Sequence, residues 1–159
     1  MVGELRNPEA VNITLTAAEC GKLVLATLHS NSAMQAIDRF VNLFPQMQHQ
    51  QILGRLGTSL LGILTQSLIP RRNEKGRIAA FELVLGLPMI KGLITENRIH
   101  LIQSYMESGG ETGMCTLDSS LAKLVIRKKI ELSEARARAV SQSGFKKLIE
   151  QLSGEVVPS

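Results

Sequence analysis

The sequence predicts an α/β fold over the first half of the chain and an all-helical region over the second half. Short apolar runs typical of buried strands, at residues 23–28 and 78–85, lie between helical patterns in the first half. After Gly86-Leu87-Pro88, every apolar pattern recurs at helical spacing. A chain of 159 residues, of which 44% are hydrophobic, is long enough to bury a core, and this composition excludes a disordered protein.

The first elements are predicted from their boundary residues. Met1-Val2 is typical of the end of a strand, and a helix over residues 8–21 follows, because proline suits the first helical turn and glycine the last. The apolar residues 23–28 predict a buried strand. A helix over residues 33–44 comes next, and Pro45 ends it.

The middle of the chain predicts a helix and then a hairpin. Residues 46–64 have a helical pattern. A polar turn at residues 73–76 separates two apolar runs, 63–69 and 78–85, which predicts an antiparallel pair of strands. Since Glu82 is almost the only polar residue of the second run, we expect that strand to be covered on both faces.

The second half predicts a series of helices. They cover residues 89–95, 97–107, 117–129, 133–142 and a last segment from Phe145. Ser133 is expected to be the N-cap of the fourth of these helices. We therefore divide the chain into two regions, residues 1–87 and residues 88–159.

Composition excludes several classes of function. The net charge of +4 implies a mild attraction to anions, and an aromatic content of 3% argues against a nucleic-acid partner, which would need stacking side chains. Cys20 and Cys115 are isolated thiols without metal-ligand spacing, so we expect no disulfide and no metal site, and a cytoplasmic location. No apolar run reaches the length of a membrane span, so no insertion into a membrane is expected.

Polar residues lie where an open α/β sheet binds its ligands. Thr27 and His29 follow the predicted strand at residues 23–28 and precede a helix start, where backbone N–H groups favour an anion such as a nucleotide phosphate. Glu4 follows another strand end, where a carboxylate can orient a water or lie in the shell of Mg²⁺. Each position also has a structural interpretation, because Glu4 suits the first turn of a helix and His29 suits a polar loop.

Other ionic features favour structural roles. His49 and His100 lie in helical patterns without a partner at metal-ligand spacing, and both are expected on the surface. The densest basic cluster is either a solvated hairpin turn or an anion site, and consists of Arg71, Arg72, Lys75 and Arg77. The phosphate-binding motif G-x-x-x-x-G-K-[ST] does not occur in the sequence.

Several separate stretches resemble the type II/IV secretion ATPases. Val2-Gly3-Glu4-Leu5-Arg6-Asn7 is similar to the Walker B segment of that family, and residues 15–33 are similar to its His box. Residues 76–82 and 113–121 resemble the PilT-like, twitching-motility branch of the family. The resemblance therefore covers nearly the whole chain.

The resemblance implies a truncated RecA-like core, which is a P-loop NTPase fold, at residues 1–87, with a helical C-terminal subdomain after it. By the same resemblance, Glu4 polarises the attacking water and His29 contacts the γ-phosphate. Arg6 and Thr27 are implied to be nucleotide-binding residues. ATP and Mg²⁺ are the implied ligands of the whole protein.

The implied partners are further copies of the chain, which form a hexamer in the family, and the inner-membrane platform protein at the pilus base. This implies a peripheral location at the inner membrane. A segment associated with pilus retraction is matched, without its arginines, at Ile90, Leu93, Ile94 and Glu96. The chain departs from the family pattern at two further positions, Asn7 for the Walker B aspartate and Lys22 for a second His-box histidine.

The missing phosphate-binding motif leads to two expectations. The chain alone should neither bind ATP tightly nor hydrolyse it, because the phosphates lack their cradle. Residues 23–28 should pair with residues 63–69 or with a second copy, because an unpaired apolar edge costs free energy and promotes aggregation. The alternative to a motor fragment is a truncated paralogue that acts as a non-catalytic assembly module. A third interpretation, a nucleic-acid binder based on the basic turn, has less support.

Overall fold

The computed structural model describes residues 1–108 and 113–154, apart from the side chain of Ser153. The helices in these ranges are α1 (Pro8–Glu19), α2 (Ala33–Val41), α3 (His49–Ser59), α4 (Pro88–Thr95), α5 (Leu101–Glu107), α6 (Leu117–Ile126), α7 (Leu132–Arg136) and α8 (Gln142–Ser153). A 3₁₀ turn (Gln46–Gln48) precedes α3. Strands β1 (Gly62–Pro70) and β2 (Arg77–Leu85) pair with each other.

The described residues form two compact units. The first unit contains residues 1–63 and 84–108, and the second contains residues 64–83 and 113–154. The boundary predicted after residue 87 lies inside the first unit, because α4 packs against α3. No helix of the described ranges is both long and apolar enough to cross a bilayer.

The first two helices begin at the residues that the sequence indicates. Asn7 Oδ1 accepts a hydrogen bond from Ala10 N at 2.8 Å and so caps α1, in which Pro8 occupies the first turn. Ser32 Oγ accepts a hydrogen bond from Gln35 N at 3.2 Å and caps α2. Each cap satisfies a backbone N–H group that has no partner within its own helix.

Three helices end with the same hydrogen-bond pattern. After α1, α4 and α6, two successive N–H groups bond back to carbonyls of the last turn, and the first of them belongs to a left-handed residue. These residues are Gly21 (φ 77°), Asn97 (φ 57°) and Lys128 (φ 55°). Glycine and asparagine are usual at this position, whereas the Cβ of lysine makes the conformation less favourable.

Several predicted helix boundaries are wrong. α3 ends at residue 59 rather than 64, because Leu60 is already extended with ψ 128°. α5 begins at residue 101 rather than 97, because Asn97 is left-handed. The N-cap position of α7 is held by Glu131 rather than by Ser133, which lies inside the helix.

The strand predicted at residues 23–28 does not form. These residues make a single parallel bridge, between Ala26 and Val2, and the side chain of Leu23 is 75% exposed. The predicted pairing with residues 63–69 is also wrong, because that segment pairs with β2. An apolar run becomes a strand only when it pairs along its length with a neighbouring strand. In the described part of the chain, only the short opening segment lies beside residues 23–28.

The first unit has an aliphatic core. Its fully buried side chains include Val11, Ile37, Leu53, Ile90, Ile94 and Ile102. α3 and α4 pack closely at Gly57, where an added Cβ would overlap Thr95 Oγ1 and lie 2.9 Å from Lys91 O. The absent side chain at Gly57 therefore allows the two helices to approach.

The second unit contains most of the hairpin together with α6, α7 and α8. The hairpin is antiparallel, as predicted, because six residues between the strands are too few for a parallel crossover. Burial alternates along β2, and Phe81 is 38% exposed, so the expectation of coverage on both faces is wrong. The helices cover one face, with a core that includes Ile69, Ala80, Leu121, Ile130, Phe145 and Ile149.

Buried polar side chains of the second unit form hydrogen bonds with the backbone or with one another. The Asp118 carboxylate accepts hydrogen bonds from Val140 N at 2.8 Å and from Ser141 N at 3.2 Å, at the start of α8. Thr65 Oγ1 donates to Glu82 Oε2 at 3.2 Å. These groups stabilise the fold, since a buried polar group costs free energy unless it is hydrogen-bonded.

Candidate functional site

The candidate site forms where two segments of the first unit run side by side. Val2 N donates to Leu25 O at 2.8 Å, and Leu5 N donates to Thr27 O at 3.0 Å. The Thr27 hydroxyl donates to Gly3 O on the same seam. These bonds place the residues that follow Gly3 beside the residues that follow Thr27.

Glu4, Arg6 and His29 meet beyond this seam. Glu4 Oε2 accepts a hydrogen bond from Arg6 Nε at 2.6 Å, and it forms an ion pair with Arg6 Nη2 at 2.5 Å. Glu4 Oε1 lies 3.2 Å from His29 Nε2. The Glu4 side chain is 22% exposed, whereas those of Arg6 and His29 are each 77% exposed. A partly sheltered carboxylate thus lies next to two groups that are open to solvent.

The cationic surroundings keep Glu4 ionised. The hydrogen bond from Arg6 lowers the pKa of the Glu4 carboxyl below its usual range, against the opposing effect of partial desolvation. The charges of Arg6, His29 and Arg39 lower this pKa further. The same hydrogen bond and charge raise the pKa of Arg6. At neutral pH the site therefore contains a carboxylate that accepts hydrogen bonds.

Arg39 holds the His29 loop and was not identified from the sequence. Its Nη1 donates to His29 O at 2.7 Å from the last turn of α2. On the other side of the loop, Asn31 N donates to Gln35 Oε1 at 3.2 Å. The sequence does show an arginine on the helix that follows the His29 loop. Nothing in the local sequence, however, indicates that the Arg39 side chain points back to that loop.

The model of the type II/IV secretion system protein family matches residues 1–156. The chain belongs to this family. Among its relatives, the twitching motility protein of Neisseria gonorrhoeae is 39% identical over 139 residues, which cover 87% of this chain and 37% of that protein. The type IV pilus retractation ATPase PilT of Pseudomonas aeruginosa is 39% identical over 145 residues, which cover 91% and 42%.

A solved structure supports the same family assignment. The crystal structure of the pilus retraction motor PilT with bound ADP superposes with a TM-score of 0.78 at 36% identity, over 89% of this chain and 39% of that one. The chain thus spans about two fifths of the length of these relatives. The resemblance to PilT-like members of the secretion family, which was inferred from short motifs, is confirmed.

The segment that resembles the retraction motif lies on and just after α4. Ile90, Leu93 and Ile94 are buried in the first unit, where α4 packs against α3. Glu96 is exposed and lies 3.4 Å from Arg98 Nη1. The three apolar residues therefore stabilise the first unit, and Glu96 is the member of the set that is open to contact.

The site residues fit a phosphate better than a metal ion. Arg6 and His29 are exposed donors, and such groups bind phosphate oxygens. The described residues contain no group of three or more His, Cys, Asp or Glu side chains that could hold a metal. Glu4 Oε2 already faces Arg6 and Glu4 Oε1 faces His29, so these residues do not form a direct Mg²⁺ site.

The remaining ionic residues differ partly from expectation. His100 is exposed, as expected, but His49 is only partly exposed, and its Nε2 lies 2.8 Å from Phe44 O. Arg71 pairs with Glu74 at 2.7 Å in the hairpin turn.

Proposed function

We propose that this chain is the water-activating and phosphate-sensing part of a PilT-like pilus-retraction ATPase. In this proposal Glu4 polarises the attacking water and His29 contacts the γ-phosphate, with Arg6 and Thr27 beside the nucleotide. The observation that supports it is the 3.2 Å approach of His29 Nε2 to Glu4 Oε1, which joins residues that are 25 positions apart in the sequence.

The chemistry follows from charge and position. In ATP hydrolysis a water oxygen bonds to the γ-phosphorus while the bond to the β–γ bridging oxygen breaks. An ionised Glu4 accepts a hydrogen bond from that water and orients it. A phosphate that enters the site attracts the exposed donors of Arg6 and His29, which weakens their hold on Glu4 and strengthens it as a proton acceptor.

We propose that residues 1–87 belong to the RecA-like core of the motor and residues 88–159 to its helical subdomain. In the whole protein, copies of the chain would assemble into a ring that acts with the platform protein of the pilus. Since the sequence contains no G-x-x-x-x-G-K-[ST], we expect that the chain alone has no measurable turnover.

The test compares ATP hydrolysis by this chain with hydrolysis by the same chain extended upstream, in its own reading frame, to include a phosphate-binding loop. In the extended chain, Glu4→Gln should lower kcat by about 10²–10⁴-fold with little change in KM. The reason is that the interaction of Glu4 with the attacking water is made in the transition state. The matched control is Glu9→Gln, which changes an exposed carboxylate in the first turn of α1. Equal activity of Glu4→Gln and Glu9→Gln would contradict the assigned role.

The second candidate function is a non-catalytic assembly module. One observation favours it, the absence of the phosphate-binding motif from this sequence. An open reading frame upstream that lacks the motif, together with an inactive extended chain, would support the module and exclude the motor.

A further inference from the structure

A strongly basic surface lies in the second unit, whereas Glu4 and His29 belong to the first unit. Arg72 N donates to Lys129 O at 2.9 Å, and Arg72 Nε lies 2.8 Å from Glu131 Oε1, so the hairpin turn and the loop after α6 are adjacent. We call residues 71–77 and 127–131 the basic surface. These two segments contain seven cations and two carboxylates, a net charge of +5. The whole chain has a net charge of +4, so the rest of the chain is slightly acidic.

The cations of the basic surface fall into two groups. Arg71 and Arg72 form ion pairs within the surface, with Glu74 and Glu131 respectively, and Arg77 donates a hydrogen bond to Leu68 O of β1. The others are exposed, and among the described residues their side chains have neither an ion pair nor a hydrogen bond. They are Lys75, Arg127, Lys128 and Lys129.

Lys128 occupies a position that the backbone does not favour. It ends α6 in the left-handed conformation, with φ 55°. The equivalent positions after α1 and α4 have Gly21 and Asn97, the residue types that this turn prefers. If only the stability of the fold mattered, glycine would be favoured at this position, because it adopts the left-handed conformation without strain. The lysine is therefore better explained by its charge.

We propose that the basic surface binds an anionic lipid bilayer. Exposed lysines on two neighbouring turns suit a plane of headgroups, because each lysine acts as a mobile point charge and needs no oriented partner. Apolar side chains lie next to these cations, since Leu68 is 50% exposed beside Arg77 and Ile126 is 38% exposed before Arg127. Such side chains gain free energy at the headgroup–acyl boundary. The two segments contain no aromatic residue that could stack on nucleic-acid bases.

Co-sedimentation with vesicles tests the proposal on the chain as it is. Vesicles with about one third phosphatidylglycerol should bind the chain, vesicles of phosphatidylcholine alone should not, and added salt should weaken the binding. Lys128→Gln with Lys129→Gln should weaken binding about 25-fold, at about five-fold for each lost charge. The matched control is Lys22→Gln with Lys147→Gln, which removes two exposed charges elsewhere and should change binding less than about two-fold.

Lys128→Gly separates binding from folding. It should weaken binding about five-fold and at the same time raise the unfolding temperature, because glycine relieves the left-handed strain. Equal binding to neutral vesicles, or unchanged binding by the double variant, would overturn the proposal. Tighter binding of duplex DNA or of polyglutamate than of anionic vesicles would also overturn it and identify a different partner.

Discussion

The two units place their polar side chains in opposite settings. In the second unit, Asp118 and Glu82 are buried, and their carboxylates bond to backbone N–H groups or to Thr65. In the first unit, Glu4 contacts two side chains that are mostly exposed. A buried and satisfied carboxylate holds a fold together, whereas a carboxylate held by exposed side chains can exchange them for a ligand. The comparison therefore separates structural acids from a candidate catalytic acid within one chain.

The largest expected effect concerns the interior of the second unit. Phe145 is 1% exposed and lies in the core with Leu121 and Ile149. Phe145→Ala should lower the free energy of unfolding by about 3–5 kcal/mol, because a large cavity forms. Phe81→Ala, on the partly exposed face of β2, should cost about 1 kcal/mol or less. Urea denaturation measures both, and similar losses would show that the hairpin is buried on both faces after all.

An intermediate effect is expected at the contact between α3 and α4 in the first unit. Gly57→Ala should destabilise the chain by about 1–3 kcal/mol, because the new methyl group has no space beside Thr95 and Lys91 O. The control lies on the same helix: an added Cβ at Gly54 has no atom within 4 Å, so Gly54→Ala should stabilise by about 0.5–1 kcal/mol. Thermal unfolding of the two variants should give shifts of opposite sign.

The smallest expected effect is a change in the titration of Glu4. Its folded pKa lies below the unfolded value of about 4.3, so the stabilisation from its ion pairs is present above that pH and is lost as the pH falls through the folded pKa. NMR titration of the Glu4 side-chain carbon should show a lowered midpoint, and Arg6→Gln should raise it towards the usual value. Arg98→Gln, which removes the partner of Glu96, should leave the Glu4 midpoint unchanged. A Glu4 midpoint at its usual value in the unsubstituted chain would contradict the observed geometry.

The sequence predicts local features better than long-range ones. Pro8, Gly21 and the hairpin turn act within a few residues, and the structure places them as expected. The strand at residues 23–28 was wrong because strand formation depends on a neighbour that local sequence does not specify. The role of Arg39 was missed for the same reason, since its bond to His29 O spans ten residues and a loop.

The candidate site was predicted at the level of residues but not of contacts. Glu4 and His29 were chosen from their positions after two apolar segments and from the family resemblance, and the structure brings them together. The hydrogen bond from Arg6 to Glu4 could not be predicted, because it depends on side-chain conformation at a loop. The catalytic roles of Glu4 and His29 are a proposal.

The resemblance to the Walker B segment places Asn7 where that segment has an aspartate, and in this structure the amide oxygen of Asn7 caps α1. An amide performs this task about as well as a carboxylate, but it adds no negative charge. Compared with an aspartate, Asn7 places one acidic group fewer near Glu4 and Arg6, and the start of α1 keeps its cap at any pH. The amide therefore preserves the start of α1 and makes the local electrostatic potential less negative than an aspartate would.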